Sequence, residues 1–244
     1  MAEDLLVGRN AVLEALKTGR PLNKLFIQDG ERQGNVKEII ALAKEQGLPL
    51  EFVAAERLAT LAGKVQHQGI VAFAAPIKYQ ELEDVLALAK EKNELPFLLL
   101  LDELQDPQNV GAIIRTAAAV GVHGVLLPKR RTCQITPAVV KASTGAIEYV
   151  PIVRIGNVVQ ALERLKKEGL WVVGADMQGK VEYTKADFQY PLVLVVGSEG
   201  KGMTRLVKET CDVLLRIPMP GKVNSLNASV ASALLLYEVL RKRN

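Results

Sequence analysis

From Phe97 onward the chain alternates short, almost wholly apolar runs with helix-like stretches, and this alternation limits its fold more than any other feature. The runs are Phe97-Leu98-Leu99-Leu100-Leu101, Gly124 to Leu127, Leu170 to Ala175, Leu192 to Val196 and Val213 to Ile217. Between them lie Val110 to Val120, Pro137 to Ser143, Val158 to Glu168 and Ser229 to Arg241, all with helical texture. A strand with one face in water alternates apolar and polar residues. These runs do not, so both of their faces must be covered. The pattern predicts an α/β fold with a mostly parallel sheet between helices. Ligands of such sheets bind beyond the carboxyl ends of the strands, which directs attention to the residues that follow each run.

The first third of the chain has a different texture. Asn10 can cap a helix through Leu16, Leu25-Phe26-Ile27 reads as a strand, and Val36 to Gln46 reads as an amphipathic helix. Leu50 to Val53 is a strand, Ala55 to Ala62 a helix, and Gly69 to Ala74 a strand, which together make a small α/β unit. Pro76 breaks the pattern, and a charged helical stretch from Gln80 to Glu94 ends at Pro96. The chain is thus expected to divide into residues 1–76, a connecting segment with a helix over 77–96, and residues 97–244.

Composition excludes several classes. Of the 244 residues 49% are hydrophobic, enough for a substantial core, yet no apolar stretch approaches the roughly 20 residues that cross a bilayer. The Met1-Ala2-Glu3-Asp4 start lacks the basic-then-apolar pattern of a signal peptide. Cys133 and Cys211 are the only cysteines and neither has metal-ligand spacing, so a reducing cytoplasm and no metal site are expected. A net charge of +4 permits a polyanionic partner without identifying one. Lys129-Arg130-Arg131 should occupy a loop at a strand end, as a solvated turn or a phosphate contact.

Three clusters fall at strand ends. After Leu101 comes Asp102-Glu103-Leu104-Gln105-Asp106-Pro107-Gln108-Asn109, then Gly111 and Arg115. Asn109 or a neighbour can cap the following helix. Arg115 stands out on a helix of Ala, Ile and Val, and by spacing alone it pairs with Asp102 or Glu103. After Val196 comes Gly197-Ser198-Glu199-Gly200-Lys201-Gly202-Met203. Glycines at a strand-to-helix turn let backbone N–H groups approach a ligand closely. The dinucleotide spacing is absent, and Met203 stands where a triphosphate-binding loop needs lysine. After Ile217 comes Pro218-Met219-Pro220-Gly221-Lys222-Val223-Asn224-Ser225-Leu226-Asn227. Asn227 can cap the last helix, but a cap needs one polar residue rather than four. His67 and His123, the only histidines, read as structural, and no nucleophile–base set is evident.

Taken in order, these clusters resemble the SpoU (TrmH) branch of the SPOUT methyltransferases, over roughly residues 97–244. The matching pieces are Asn109, Gly111 and Arg115; Gly197 to Gly200 with Gly202; and Ile217-Pro218-Met219 with Ser225-Leu226-Asn227. Residues Gly8 to Leu16 and His67 to Ala72 resemble the ribosomal-protein-like, RNA-binding domain attached to some members. The two-domain layout is most similar to the members that methylate a guanosine ribose in 23S ribosomal RNA.

The resemblance implies a trefoil-knotted C-terminal domain with a parallel sheet, despite the general avoidance of knots, beside a substrate-binding domain. It implies S-adenosylmethionine as methyl donor, held by Gly197, Ile217, Met219, Ser225 and Leu226, and a homodimer formed through the knotted domains. Arg115, Asn109, Glu199, Ser225 and Asn227 would carry the reaction on a ribose 2′-hydroxyl. Arg115 would be the base or a positioning group, because a guanidinium normally keeps its proton. Arg9, Lys17, Arg20 and Lys24 could meet RNA phosphates. A transfer RNA substrate and a catalytically silent RNA-binding or assembly factor are the alternatives.

Overall fold

The computed structural model describes residues 3–31 and 33–244, so Met1 and Ala2 of the N-terminal reading lie outside the described residues. Two compact units form: residues up to Lys78 together with Ile135–Tyr149, and Tyr79–Gln134 together with Val150–Asn244.

The first unit runs β1 (Asp4–Val7), α1 (Arg9–Lys17), β2 (Leu22–Gln28), α2 (Val36–Glu45), β3 (Leu50–Val53), α3 (Ala55–Ala62) and β4 (Ile70–Ala74). Its sheet has the order β1-β4-β2-β3, with β4 antiparallel to both neighbours and β2 parallel to β3. Phe26, Val53 and Val71 of the sheet are buried with Leu58 and Ala62 of α3. Helix α1 begins after Gly8 without a side-chain cap, and Asn10 lies within its first turn, so the expected Asn10 cap does not form. Lys17 pairs with Glu38, Lys24 with Glu51 and Arg9 with Glu31. Arg20 is 8% exposed, pairs with Asp4 and Glu148, and donates to the Ala75 carbonyl. The expectation that Arg20 meets phosphate is therefore corrected. Its guanidinium pairs with two carboxylates and a carbonyl inside the unit, which occupy most of its donors.

The second unit continues with α4 (Leu82–Glu91), β5 (Phe97–Leu101), α5 (Pro107–Ala119) and β6 (Gly124–Pro128). The chain then leaves it for α6 (Pro137–Ala142) and a single 3₁₀ turn (Ala146–Glu148), both part of the first unit. It resumes with β7 (Ile152–Ile155), α7 (Val158–Lys167), β8 (Trp171–Ala175), β9 (Val181–Glu182), β10 (Leu192–Val196), α8 (Arg205–Thr210), β11 (Val213–Arg216) and α9 (Ala228–Arg243). Residues 135–149 thus differ from their expected placement within 97–244. Their physical anchor is α6, which buries Val139 and Val140 and packs along β1, and Glu148, which pairs with Arg20.

The large sheet has the order β7-β6-β5-β10-β8-β11-β9, and every neighbouring pair is parallel. All residues of β5, β6 and β10 are buried, as their unbroken apolar runs require. Leu98, Leu100, Leu126, Val193 and Val195 form a core with Leu162 and Leu165 of α7 and Val207 of α8. β5, β6 and β7 pair in sequence order, whereas β10 inserts between β5 and β8, so that β8 pairs with β10 and β11 and not with β7 or β9. Helix α9 packs against α5. No helix among the described residues is long and apolar enough to cross a membrane.

Candidate active site

All strands of the large sheet run the same way, so the loops after β5, β6, β8, β10 and β11 gather at one edge. Helix α5 is started by Asp106, whose carboxylate accepts from the N–H groups of Gln108 (3.1 Å) and Asn109 (3.2 Å), with Pro107 fixing the first turn. The cap is therefore Asp106, which leaves the Asn109 side chain free for other bonds. Asn109 is 8% exposed.

The Gly197–Met203 loop closes on itself. Ser198 N–H donates to the Gly202 carbonyl (3.1 Å), and Gly202 N–H donates to that of Ser198 (2.9 Å). A Cβ at Gly197 would lie 2.1 Å from the Gly202 carbonyl carbon, so only glycine allows this closure. The loop is fastened by Asp102, a residue that sequence reasoning considered only as a partner for Arg115. Its carboxylate is 3% exposed and accepts from Thr204 N–H at 2.8 Å, while its own N–H donates to the Val196 carbonyl at 2.8 Å. Burial holds the Asp102 carboxyl above its ordinary value, and the Thr204 N–H opposes that shift. A polar residue directly after an apolar strand was the signal available.

The third loop brings Asn227 to the head of α9. Its side-chain oxygen accepts from Ser229 N–H (3.0 Å) and Val230 N–H (3.4 Å), which makes it the helix cap as expected. Its amide donates to Asn109 Oδ1 (2.9 Å) and to Glu199 Oε1. Glu199 Oε1 also accepts from Asn109 Nδ2 (3.1 Å) and from Ala228 N–H (2.9 Å). Three loops therefore meet in one hydrogen-bonded triangle, with the carboxylate at the positive end of α9. The three bonds that Glu199 accepts here all fall on its Oε1.

Beside the triangle opens a cleft of about 300 Å³. Gly197, Ile217, Met219, Ser225 and Leu226 all border it, as does Glu199. Val196, Leu215, Ala228 and Ala231 add apolar wall, while Asp176, Gln178 and Lys208 make one side polar. Asp176 and Lys208 pair at 2.9 Å. Sequence reasoning missed this side, although Asp176 directly follows an apolar run just as Asp102 does.

Arg115 does not border the cleft. Six residues at about 100° each put it roughly 240° around α5 from Asn109, on another face. It is exposed, and its side chain forms no ion pair or hydrogen bond among the described residues. The local pairings are taken up elsewhere, Asp102 by Thr204 and Glu103 by Arg131 (3.4 Å). Both histidines serve main-chain N–H groups: His67 Nδ1 accepts from Gly69 and His123 Nδ1 from Phe97.

A fold of two such units with this loop architecture points to one class of protein. A model of the SpoU rRNA methylase family matches residues 96–237, and a model for RNA 2′-O ribose methyltransferase substrate binding matches residues 5–80. The chain belongs to the SpoU rRNA methylase family and is an RNA methyltransferase. A Bacillus subtilis protein described as a TrmH family tRNA/rRNA methyltransferase is 52% identical over 241 residues, covering 99% of this chain and 96% of the relative. Among solved structures, the SpoU methyltransferase AviRb from Streptomyces viridochromogenes, in complex with AdoMet, superposes with a TM-score of 0.81 at 25% identity, over 99% of this chain and 90% of that one. An AdoMet-bound rRNA methyltransferase from Sinorhizobium meliloti gives 0.78 at 26% identity, over 98% and 87%. The fold class implied by the resemblance is the one observed.

Proposed function

We propose that this protein methylates the 2′-hydroxyl of a guanosine ribose in 23S ribosomal RNA, with S-adenosylmethionine as donor, and that it acts as a cytoplasmic homodimer. The observation that carries the reading is the meeting of Asn109, Glu199 and Asn227 in one network beside a cleft bordered by Gly197, Ile217, Met219, Ser225 and Leu226.

The cleft suits the donor in its chemistry. Ile217, Met219 and Leu226 offer an apolar wall for a purine, and Gly197 leaves the backbone bare for close approach. Asp176, Gln178, Ser225 and Lys208 offer polar partners for a ribose and a zwitterionic amino acid. S-adenosylmethionine supplies an electrophilic methyl group on a sulfonium, so the protein's task is alignment and proton removal. Glu199 is held by its Oε1 bonds, and we assign its Oε2 to orient the acceptor hydroxyl and to accept its proton. Asn109 and Asn227 keep that carboxylate fixed. Exposed Arg115 lies off the cleft of its own protomer and between Ala112 and Thr116 of the α9 groove. A guanidinium keeps its proton at physiological pH, so we assign Arg115 to reach the other protomer's cleft across the proposed dimer, binding the substrate phosphate and polarising the hydroxyl rather than acting as base.

The match of residues 5–80 to a substrate-binding family supports a large RNA, as does the likeness of nearly the whole chain to an rRNA methyltransferase. The Bacillus subtilis relative, described as a tRNA/rRNA methyltransferase, favours transfer RNA equally, which makes that the second reading. The dimer is supported by α9, where Val230, Leu234 and Tyr237 are 49%, 38% and 53% exposed and line a groove with Ala112 and Thr116 of α5.

Methyl transfer from labelled S-adenosylmethionine to 23S ribosomal RNA and to bulk transfer RNA, with Arg115→Ala alongside, tests the proposal. Ribose-methylated guanosine in 23S RNA, reduced at least about 100-fold in the variant as expected for a lost transition-state contact, is the expected result. Label in transfer RNA alone would move the substrate. No transfer to either, with no cofactor binding, would favour a silent RNA-binding factor.

A further inference from the structure

The loop after β6 presents Lys129, Arg130 and Arg131 to solvent at the same edge as the cleft. It is braced from beneath. Gln134 Nε2 donates to the carbonyls of Pro128 (3.1 Å) and Thr132 (2.9 Å), tying the two ends together. Thr132 Oγ1 donates to the Leu101 carbonyl (3.4 Å), and Cys133 N–H donates to that of Leu104 (2.7 Å). Arg131 takes a left-handed conformation with φ of 63°. A loop already held in place loses less entropy on meeting a ligand than a mobile one.

Only two carboxylates at this edge pair with cations, Glu103 with Arg131 and Asp176 with Lys208. Asp102, Asp106 and Glu199 are turned onto neutral N–H and amide donors of the fold and reach none of the remaining cations. Lys129, Arg130, Lys201 and Lys222 are exposed and form no ion pair among the described residues. Lys201 lies in the Gly-rich loop and Lys222 in the loop after β11, so free cations run from β6 to the mouth of the cleft. β6 is two strands from β10, roughly 10 Å at ~4.8 Å per strand. A chain of phosphates lying along the edge matches this row.

Resting on the RNA-methyltransferase reading, we propose that Lys129 and Arg130, on the loop braced by Gln134, grip phosphates of the RNA strand that flanks the methyl-acceptor nucleotide. The contact positions the RNA without reading its bases.

The test compares Lys129→Ala/Arg130→Ala with a charge-matched control, Lys90→Ala/Lys167→Ala, whose exposed lysines end α4 and α7 at the opposite edge of the sheet. Binding of a 23S RNA transcript and of bulk transfer RNA is followed across a potassium chloride series. S-adenosylmethionine affinity is measured by calorimetry. Loss of two phosphate contacts reduces the slope of log affinity against log salt by about 1.4. The loop variant should show that reduction, with a raised KM for RNA and wild-type cofactor affinity, while the control keeps the wild-type slope. Gln134→Ala, which keeps every charge, should also raise KM. An unchanged slope in the loop variant overturns the proposal, and so does an equal loss in the control, which would mean diffuse charge. Cofactor affinity that falls with the loop variant would assign the loop to the donor site instead. Wild-type protein that binds RNA with a steep slope yet transfers no methyl would sink the catalytic reading and leave this surface standing; absence of salt-dependent binding would sink both.

Discussion

A methyl group added at Gly197 would meet the Gly202 carbonyl carbon at 2.1 Å and the Met203 nitrogen at 2.2 Å, main-chain atoms that cannot swing aside. Gly197→Ala should therefore open the loop. Cofactor affinity by calorimetry is expected to fall at least about tenfold, with a stability loss of about 1–3 kcal/mol; unchanged affinity would mean that the loop does not shape the donor site. His123 offers a pH test away from the cleft. Its Nδ1 accepts from Phe97 N–H (3.1 Å) and its Nε2 faces Glu94 at 3.0 Å, an arrangement suited to the neutral ring. Burial holds the imidazole below its ordinary value, opposed by Glu94. Below about pH 6.5 the unfolded chain takes up a proton that the folded state resists. This contribution to stability is thus present at neutral pH and lost as pH falls. Denaturant unfolding from pH 8 to 5 should show a steeper acid loss for wild type than for His123→Gln, and parallel curves would refute the assignment. Asn109, Glu199 and Asn227 were legible as site candidates because their spacing matches a family pattern. Asp102 and Asp176 were not, since a carboxylate after a strand looks the same whether it braces a loop or faces solvent.

At the level of elements, the apolar runs of β5, β6 and β10 were readable because a strand buried on both faces has no polar alternation to confuse it. β8 and β11 were readable from their apolar residues although Trp171 and Arg216 are exposed. β7 was not, because exposed Arg154 interrupts a four-residue edge strand. Neither was α8, six residues long with Leu206 56% exposed, nor the two-residue β9. Such short elements are held by their neighbours and leave little periodicity. The caps tie element to site. Asp106 both starts α5 and presents Asn109, so Asp106→Ala should cost about 1 kcal/mol of stability and roughly 2–4 °C in Tm. It should also slow methyl transfer by loosening Asn109. A Tm drop at full activity would show that Asn109 does not depend on its cap.

For the whole molecule, α9 is apolar nearly all round. Ala228, Leu235, Leu236 and Val239 face inward, while Val230, Leu234 and Tyr237 lie exposed at helical spacing. A helix apolar on every side is normally covered on every side. Light scattering should find a dimer for the wild type and a monomer for Leu234→Glu/Tyr237→Glu; a monomeric wild type would remove this role from α9. Local texture alone determined that a buried parallel sheet exists and which loops follow its strands at the carboxyl edge, because apolar runs and turn glycines leave marks within a few residues. Only the tertiary structure decided that β10 inserts between β5 and β8 and that residues 135–149 join the first unit. It also brought Asn109 to Glu199 and Asn227, 90 and 118 residues away, in one hydrogen-bonded triangle. Strand order and long-range pairing follow from which apolar surfaces bury one another across the chain, and no local stretch of residues records that choice.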